Sequence, residues 1–588
     1  MNRRNFVKAA ALLPLQAGTS PLSLASISAR ETVGGALPTA THAPLRDRFE
    51  LSLLRALHGS EPAFTKDFLL ADVRPVPERR FTEYSGDLSG RYIGALATAA
   101  RVYGQHFLDL DALVEEVIAL QKPDGYFGGS FHYEKTADPD LALLWGNGRL
   151  LVGLVEYYRL KPSAAVLASC RRLGDFLVRI GPLMLSREIR EQFGAQHFAS
   201  SYICWMQQTE GLANLYMVTK DARYRELAEA IAKVIERRPG DHVHGYLTSL
   251  RGVMDLYTAT ADASLLRQCE TAWHDVAQSQ DALITGGVPE GWSPNNHYTE
   301  GCGEADWVRL SLLLWKATGN LKYLSMAECT IFNELAFSQF ATGDFAHRVY
   351  TETGRPAEGA ARAWWCCTLH GLRAFPEIHG SVFRAQDDAL YYDLPFDGRI
   401  EPPAQSAVAE SSLAEHGTVR IMIKPAGKSA SSFLIRKPEW AGSLDVRLNG
   451  AKCELPLENQ YAVIKRTWAA GDVLELKYGM QLRSVPSGQG RVVYFYGPWL
   501  LGAAASDNFA YFNELTTENR LVGVGKPAPS ARRQPVRPFA VPIAATEFRY
   551  SPAEYEDQPG PVQLRAIAEQ TGQPATSWEL RFLVKDQG

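Results

Sequence analysis

The chain has 588 residues, of which 46% are hydrophobic, and a formal net charge of −4 at pH 7. A single hydrophobic core stops growing at roughly 250–300 residues, so a chain of this length is expected to form two or three domains. The charge predicts no nucleic-acid or anionic-membrane partner, because such partners require a basic surface. Eight cysteines are too few for a disulfide-rich scaffold.

Residues 1–29 have the composition of an export signal. Arg3 and Arg4 match the twin-arginine pattern, and an apolar stretch follows at 9–15. That stretch is too short to remain as a membrane-spanning helix. The alternative is a chance pair of arginines at the start of a cytosolic chain. We expect an exported protein, periplasmic or extracellular, that has no membrane contact after signal removal and continues with an N-terminal extension at 30–79.

Residues 80–395 have the periodicity of successive amphipathic helices. Tyr224, Leu227, Ile231 and Val234, for example, recur at the spacing of one helix face. Similar segments at 212–221, 256–262 and 314–320 each end one helix and begin a turn. This repetition predicts helical hairpins, either closed into a ring or stacked as a straight solenoid.

The pattern changes to alternating strands near residue 401. Strand patterns occur at 419–423, 444–448, 473–476 and 492–496, and Asn449-Gly450 is a strong hairpin turn. Short, closely spaced strands predict an antiparallel β-sandwich at 396–500. We interpret the sandwich as a buttress for the helical domain rather than as a carbohydrate-binding module. Residues 501–588 form a C-terminal β-rich segment to which the sequence assigns no role.

Two short stretches, at 299–307 and 364–371, contain Glu300, Cys302, Cys366 and Cys367. Zinc prefers four sulfur, nitrogen and oxygen ligands in a tetrahedron, which these four residues would supply. Positions i and i+2 of a helix lie about 200° apart, so both pairs are expected at helix starts or on irregular backbone. The alternatives are buried free thiols and a disulfide between Cys366 and Cys367.

These stretches resemble glycoside hydrolase family 127, the retaining β-L-arabinofuranosidases, in which a Glu-x-Cys and a later Cys-Cys hold zinc. Further similarity lies at 121–126, 327–333, 459–468 and 490–493. The resemblance therefore covers most of residues 80–500. It implies an all-α (α/α)6 barrel at 80–395 followed by the all-β sandwich. It also implies an exo-glycosidase that acts on plant-type oligosaccharides.

The resemblance also implies roles for individual residues. Zinc is held by Glu300, Cys302, Cys366 and Cys367, and Cys366 is the nucleophile that forms a thioglycosyl intermediate. A thiolate then replaces one of the two carboxyl groups that retaining glycosidases normally use. Glu290, in the loop before the Glu-x-Cys, corresponds to the acid/base. Glu304, Asp306 and Glu328 are rival carboxylates, and we retain Glu328 as a second catalytic candidate.

In such a barrel the inner helices direct their N-termini towards one mouth, where we expect a sugar pocket. A lone histidine or glutamine at a helix start is more often a cap or a surface residue. The substrate-binding candidates are Trp145, Arg149, Gln207, His242, His244, His297, Trp365 and His370.

Two of these positions differ from the family pattern. Arg149 and Gln207 lie where the family has histidine and glutamate, whereas His244 matches a family histidine. An arginine fork suits carboxylates, which predicts an acidic or more substituted sugar and low activity on simple β-L-arabinofuranosides. The alternative is that Arg149 pairs with Glu210.

Two other functions fit the sequence less well. One is a polysaccharide lyase on a similar barrel, which would generate an ultraviolet-absorbing double bond. The other is a glycan-binding protein with a structural zinc. The sequence predicts neither the linkage nor the oligomeric state.

Overall fold

The structure is a computed structural model that describes residues 44–59, 62–74, 83–194, 201–279, 283–292, 298–349, 361–362, 365–401, 405–425, 430–513, 520–524, 528–529, 544–551, 560–569 and 578–584. The predicted export signal lies outside these residues. None of the helices within these ranges combines the length and the apolarity needed to cross a membrane.

The first half of the chain is helical. Its elements are α1 Pro44–His58, α2 Lys66–Val73, α3 Asp87–Tyr103, α4 Leu108–Ala119, α5 Asp138–Leu160, α6 Ala164–Met184, α7 Arg187–Gly194, α8 Ile203–Met206, α9 Gln208–Thr219, α10 Ala222–Ala232, α11 Val243–Thr260, α12 Ala263–Gln278, α13 Gly301–Thr318, α14 Leu321–Thr330, α15 Ala336–Ser338 and α16 Cys366–His379. A 3-10 turn at Glu290–Trp292 and a π-helical turn at Ile331–Leu335 complete the helical half.

Six of these helices form a closed inner ring. Helices α3, α5, α9, α11, α13 and α16 each pack against the next, and α16 packs back against α3. Helices α1, α4, α6, α10, α12 and α14 pack outside them. This arrangement confirms the (α/α)6 barrel and excludes the solenoid. It also includes α1, which lies before residue 80, so the barrel begins earlier than the sequence predicts.

The repeated segments are the turns between inner and outer helices. Helices α9, α11 and α13 end on a residue in the left-handed conformation, with φ of 57° at Lys220, 58° at Ala261 and 69° at Gly319. The next residue caps the outer helix: Asp221, for example, accepts a hydrogen bond from the backbone NH of Arg223. Because each outer helix returns the chain, the inner helices all run in one direction.

The second half is built from strands. Together with three short strands near the barrel mouth, they are β1 Tyr298–Glu300, β2 Ala346–Val349, β3 Ala361–Arg362, β4 Phe383–Gln386, β5 Ala389–Tyr392, β6 Gly398–Ile400, β7 Gln405–Ser412, β8 Thr418–Pro425, β9 Ala430–Arg436, β10 Leu444–Leu448, β11 Ala451–Cys453, β12 Leu457–Glu458, β13 Tyr461–Thr467, β14 Val473–Tyr478, β15 Leu482–Pro486, β16 Arg491–Tyr496, β17 Trp499–Ala504, β18 Arg520–Val524, β19 Ala528–Pro529, β20 Ala544–Ser551, β21 Gly560–Ala566, β22 Trp578–Glu579 and β23 Phe582–Val584. Two further short helices are α17 Leu413–His416 and α18 Phe509–Asn513.

The strands after the barrel form three sheets. One has the order β11-β10-β14-β8-β7-β6 and a second has the order β12-β13-β9-β5-β4. Pairing is antiparallel except at β5–β9 and β18–β23, and Asn449-Gly450 turns the chain between β10 and β11 as predicted. The third sheet contains the nine strands β15 to β23, with β19 paired to β20 at its side. It therefore crosses the boundary that we predicted at residue 500.

Buried polar contacts join the barrel to the sheets. Asn333, in the π-helical turn, donates to the carbonyl oxygen of Pro498 at 3.0 Å and accepts from the backbone NH of Leu500 at 2.7 Å. Glu328 of α14 forms a buried ion pair with Arg436 of β9 at 3.1 Å. The sheets thereby hold the outer helix α14 in place, which supports the predicted buttress role.

Candidate active site

Three thiols converge at the N-termini of α13 and α16. The sulfur atoms of Cys302, Cys366 and Cys367 all lie within 4.8 Å of one another. The Sγ–Sγ distances are 3.4 Å for Cys302–Cys367 and 3.8 Å for Cys366–Cys367. A disulfide bond is about 2.05 Å long, so Cys366 and Cys367 are present as free thiols and not as a disulfide.

Helix starts produce this convergence, as the spacing predicts. Glu300 is the extended residue that precedes α13, with φ −120° and ψ 135°, and Cys302 lies in the first turn. Cys366 and Cys367 are the first two residues of α16. Gly301 permits the close approach, because a Cβ there would lie 3.2 Å from the Cβ of Cys367. Both helix N-termini direct partial positive charge towards the thiols, which favours thiolates.

Glu300 completes a donor set that fits a metal ion. A second group of closely spaced donors contains Glu300, His347 and Cys367, and it shares Cys367 with the thiol cluster. Oε2 of Glu300 is buried without a hydrogen-bond partner among the described residues and lies 3.7 Å from Nε2 of His242. Three thiols and a carboxylate with an unsatisfied oxygen are suitable ligands for a zinc-like divalent ion.

Sequence reasoning missed His347. It lies on β2, directly opposite Glu300 in the antiparallel pair of β1 and β2. Its Nε2 is 3.3 Å from Oε1 of Glu300. Burial lowers the pKa of His347, but the charge of Glu300 more than offsets this effect and the pKa is raised. Nothing in the local sequence identifies this pair, because strand register depends on residues that are distant along the chain.

Cys366 differs from the other two thiols. It is partly exposed, whereas Cys302 and Cys367 are fully buried. Hydrogen bonds from Cys302 and Cys367 hold the pKa of the Cys366 thiol well below its usual range, and burial raises the pKa of the other two thiols. Cys366 is therefore both the most accessible of the three and the most readily ionised.

A second cluster places Glu290 next to the thiols. Oε1 of Glu290 lies 2.6 Å from Nδ1 of His242 and accepts a hydrogen bond from the backbone NH of Val243 at 3.3 Å. Side-chain ligand atoms of Glu290, His242 and Glu300 lie within 4.8 Å of one another. Burial opposes a charge on His242, but Glu290 and Glu300 more than offset it and raise the pKa of His242 to about 9. Burial and Glu290 raise the pKa of Glu300 to about 7.

Glu304 fixes the loop that carries Glu290. Its Oε1 accepts a hydrogen bond from the backbone NH of Val288 at 3.1 Å. The backbone NH of Gly240 donates to the carbonyl oxygen of Gly291 at 2.7 Å on the other side of Glu290. Burial and the neighbouring Glu334 raise the pKa of Glu304 well above its usual range. Glu304 therefore anchors the loop, and its surroundings favour the neutral form of its carboxyl group.

Asp306 connects two buried histidines deeper in the barrel. Its oxygens lie 2.5 Å from Nδ1 of His244 and 2.8 Å from Nε2 of His370. Burial lowers the pKa of both histidines, to about 3 for His370. Burial opposes the charge of Asp306, but His370, His244 and Arg251 hold the pKa of its carboxyl group well below the usual range. An ionised carboxylate only accepts, so both histidines donate to Asp306. Nε2 of His244 has no partner among the described side chains.

Aromatic rings line the same region. The ring of Trp145 stacks on His242 with a centroid distance of 5.3 Å and an interplanar angle of 23°. The indole NH of Trp145 donates to Asp87 at 3.0 Å. Trp365 is partly exposed and approaches His347 edge-on at 6.5 Å. An exposed aromatic ring such as that of Trp365 is suited to the apolar side of a sugar ring.

Sequence and structure comparisons identify the family. Residues 71–380, just over half of the chain, match the model of the β-L-arabinofuranosidase GH127 catalytic domain. The chain belongs to glycoside hydrolase family 127. Residues 404–480 match the family's middle domain. The enzyme is thus a glycoside hydrolase. A comparison with curated protein sequences found no significant match.

Solved structures of family 127 share the whole fold. The GH127 β-L-arabinofuranosidase Ara127N from Geobacillus stearothermophilus T6 aligns with a TM-score of 0.70 and 17% identity over 92% of this chain and 99% of its own. A second GH127 β-arabinofuranosidase aligns with a TM-score of 0.71 and 16% identity over 93% of this chain and 96% of its own. The family 127 fold therefore extends through the β-rich half.

The structure pairs Arg149 with Glu210, the alternative that the sequence left open. The guanidinium donates to Glu210 at 3.0 Å and to Thr248 at 2.9 Å, and the side chain is only 2% exposed. Arg251 binds the other oxygen of Glu210 at 2.8 Å. Arg149 is thus paired with Glu210, and the expectation of an acidic sugar loses its basis.

Arg149→Met is expected to lower stability without changing sugar preference. The change removes one of the two arginines that bind Glu210, and the loss of a buried hydrogen bond to a charged group costs about 1.5–3 kcal/mol. The apparent melting temperature should fall by several degrees, while the ratio of kcat/KM for neutral and acidic glycosides stays the same. A changed ratio at unchanged stability would indicate that Arg149 contacts the sugar. Arg223→Met, on the exposed outer helix α10, is the control.

Two further candidates, Gln207 and Glu328, are held by contacts with other segments of the chain. The side-chain amide of Gln207 donates to the backbone oxygen of Trp145 at 2.9 Å, so it joins two inner helices. Both carboxylate oxygens of Glu328 bind Arg436 at the sandwich, at 3.2 and 3.1 Å. Glu328 therefore does not join the thiol cluster, and its role is structural rather than catalytic. His297 lies outside the described residues.

Proposed function

We propose that this family 127 enzyme is an exported, retaining exo-glycosidase with Cys366 as nucleophile, Glu290 as acid/base and a zinc ion held by Glu300, Cys302, Cys366 and Cys367. The convergence of the three thiols and Glu300 beside the Glu290–His242 pair carries this proposal. The twin-arginine pattern at residues 3 and 4 supports export to the periplasm or the extracellular space.

The first half of the reaction cleaves the glycosidic bond. The thiolate of Cys366 attacks the anomeric carbon, forming a C–S bond while the bond from that carbon to the leaving oxygen breaks. Glu290 gives its proton to the leaving oxygen. The partial exposure of Cys366 and the low pKa of its thiol support its choice over the buried Cys367.

The second half releases the sugar. Glu290, now ionised, takes a proton from water, and the water oxygen attacks the anomeric carbon as the C–S bond breaks. Two successive displacements retain the anomeric configuration. His242, through its 2.6 Å contact, keeps the Glu290 carboxyl group in one orientation during both steps. A bound zinc ion supplies the positive charge that keeps the thiols deprotonated.

A terminal furanose of a plant-type oligosaccharide is the proposed substrate, as in the β-L-arabinofuranosidases that define the family model. Nδ1 of His244 donates to Asp306, so Nε2 is unprotonated and can accept a hydrogen bond from a sugar hydroxyl. Trp365, which is partly exposed, supplies an apolar face for the sugar ring, and Trp145 stacks behind His242. These neutral groups fit an uncharged sugar better than an acidic one.

Product stereochemistry tests the mechanism. Hydrolysis of nitrophenyl β-L-arabinofuranoside, followed by proton NMR, should show the β-anomer as the first product. An inverted first product would contradict a covalent nucleophile. A bromoacetamide derivative of arabinofuranose should label Cys366, and a label on Cys367 would reverse the assignment of the nucleophile.

Removal of zinc is expected to reduce both activity and stability. Protein purified without chelator should contain about one zinc per chain, because the four donors match its preferred coordination. Chelation should abolish hydrolysis and lower the melting temperature, since metal binding contributes to folding free energy. Elemental analysis and a thermal melt measure both effects. A zinc-free preparation with full activity would contradict the proposal.

A further inference from the structure

An arginine lies against the thiol cluster from the side of α3. Nη1 of Arg91 is 3.8 Å from Sγ of Cys302 and 3.5 Å from Nδ1 of His370. Its Nε donates to Asp87 at 2.8 Å. The side chain is 3% exposed. This residue takes no part in the proposed reaction steps.

We infer that Arg91 is the counter-charge and hydrogen-bond donor of the thiol cluster, and that it sets how tightly the cluster retains a divalent metal ion. This inference rests on the proposed function, because it assumes that Glu300 and the three cysteines bind the metal. It concerns a positioning residue outside the set of ligands.

The charge of the occupied cluster is the first reason. Three thiolates and one carboxylate carry four negative charges, and a divalent ion neutralises only half of them. An excess of buried negative charge is costly unless a cation lies close by. Arg91 supplies a cation that stays charged at every working pH. Its NH also donates to a sulfur atom, the kind of outer contact that orients metal ligands.

The neighbours of Arg91 hold it in place. Asp306 accepts from Nε2 of His370, so Nδ1 of that neutral ring is left as an acceptor directed at Arg91. Asp87 binds Arg91 from one helical turn earlier and is itself held by the indole NH of Trp145. The guanidinium is therefore oriented before any metal binds.

Close packing of α3 against α5 fixes the position of the helix that carries Arg91. A Cβ at Gly90 would lie 2.5 Å from the carbonyl carbon of Arg149, so the glycine lets α3 and α5 approach closely. Two nearby arginines are paired with other carboxylates. Nη1 of Arg251 lies 2.8 Å from Asp306, and Nη2 of Arg309 lies 2.5 Å from Glu377. Among the described residues, Arg91 has one close carboxylate, Asp87, which also accepts from Trp145, and Nη1 of Arg91 lies against the sulfur atom of Cys302.

Zinc affinity tests the inference. The dissociation constant for zinc is measured by competition with a chromogenic chelator, using full-length protein. Arg91→Met should bind zinc about 10–100-fold more weakly than wild type, the usual loss when an outer contact of a metal site is removed. Arg91→Lys, which keeps the charge, should restore affinity to within about threefold of wild type. Arg101→Met, on the same helix but at an exposed side chain that pairs with Glu156, should bind like wild type.

The outcomes separate this inference from the proposed function. Wild-type affinity in folded Arg91→Met would overturn the inference, while wild-type protein without zinc would contradict the proposed metal site itself. If Arg91→Met does not fold, Arg91→Lys decides. A loss of more than tenfold in the lysine variant would overturn the role as counter-charge, and near wild-type affinity would support it.

Discussion

Cys366→Ser is expected to lower kcat/KM on nitrophenyl β-L-arabinofuranoside by on the order of 10⁵-fold, the scale of loss when a catalytic nucleophile is removed. A serine hydroxyl is not ionised near neutral pH, so the attack on the anomeric carbon loses its nucleophile. Steady-state kinetics with the purified variant measure the effect. Zinc content should be recorded in parallel, because Cys366 is also a proposed ligand.

Cys453→Ser is the matched control for that substitution. Cys453 is a partly buried free thiol on β11 of the sandwich, far along the chain from the cluster. Its loss should leave kcat/KM within about twofold of wild type, as surface substitutions usually do. If Cys366→Ser keeps more than a tenth of wild-type activity while retaining zinc, a thiolate nucleophile at this position is wrong.

Glu290→Gln is expected to lower kcat by about 10²–10⁴-fold on substrates with poor leaving groups, because the leaving oxygen is no longer protonated. The loss in the first step should be much smaller for a nitrophenyl glycoside, whose leaving group departs without a proton. Comparison of alkyl and nitrophenyl β-L-arabinofuranosides measures this dependence. A uniform loss on both classes would indicate a structural role for Glu290.

Glu304→Gln is the matched control among the buried carboxylates. Its amide oxygen still accepts from Val288, so the loop and the activity should change little. The opposite pattern, a large loss in Glu304→Gln and a small one in Glu290→Gln, would transfer the acid/base role to Glu304.

The barrel and its thiols were predictable because their signals are local. Helix periodicity along 80–395 and repeated caps such as Lys220-Asp221 depend only on neighbouring residues. The spacing of Cys302 from Glu300 excludes a mid-helix position, so a helix start or irregular backbone followed from the chain itself, and the structure has the helix start. The family resemblance drew on the same local stretches.

The partners of the charged side chains depended on packing between distant segments. Arg149 meets Glu210 only because α5 and α9 are neighbours in the ring, and Glu328 meets Arg436 only where the sandwich docks. His347 lies opposite Glu300 through strand register. The sequence by itself determined the helices, the strands and the cluster of possible metal ligands. Only the tertiary structure decided which buried charges are neutralised by one another and which face the site, because burial makes each charge depend on its nearest partner in space.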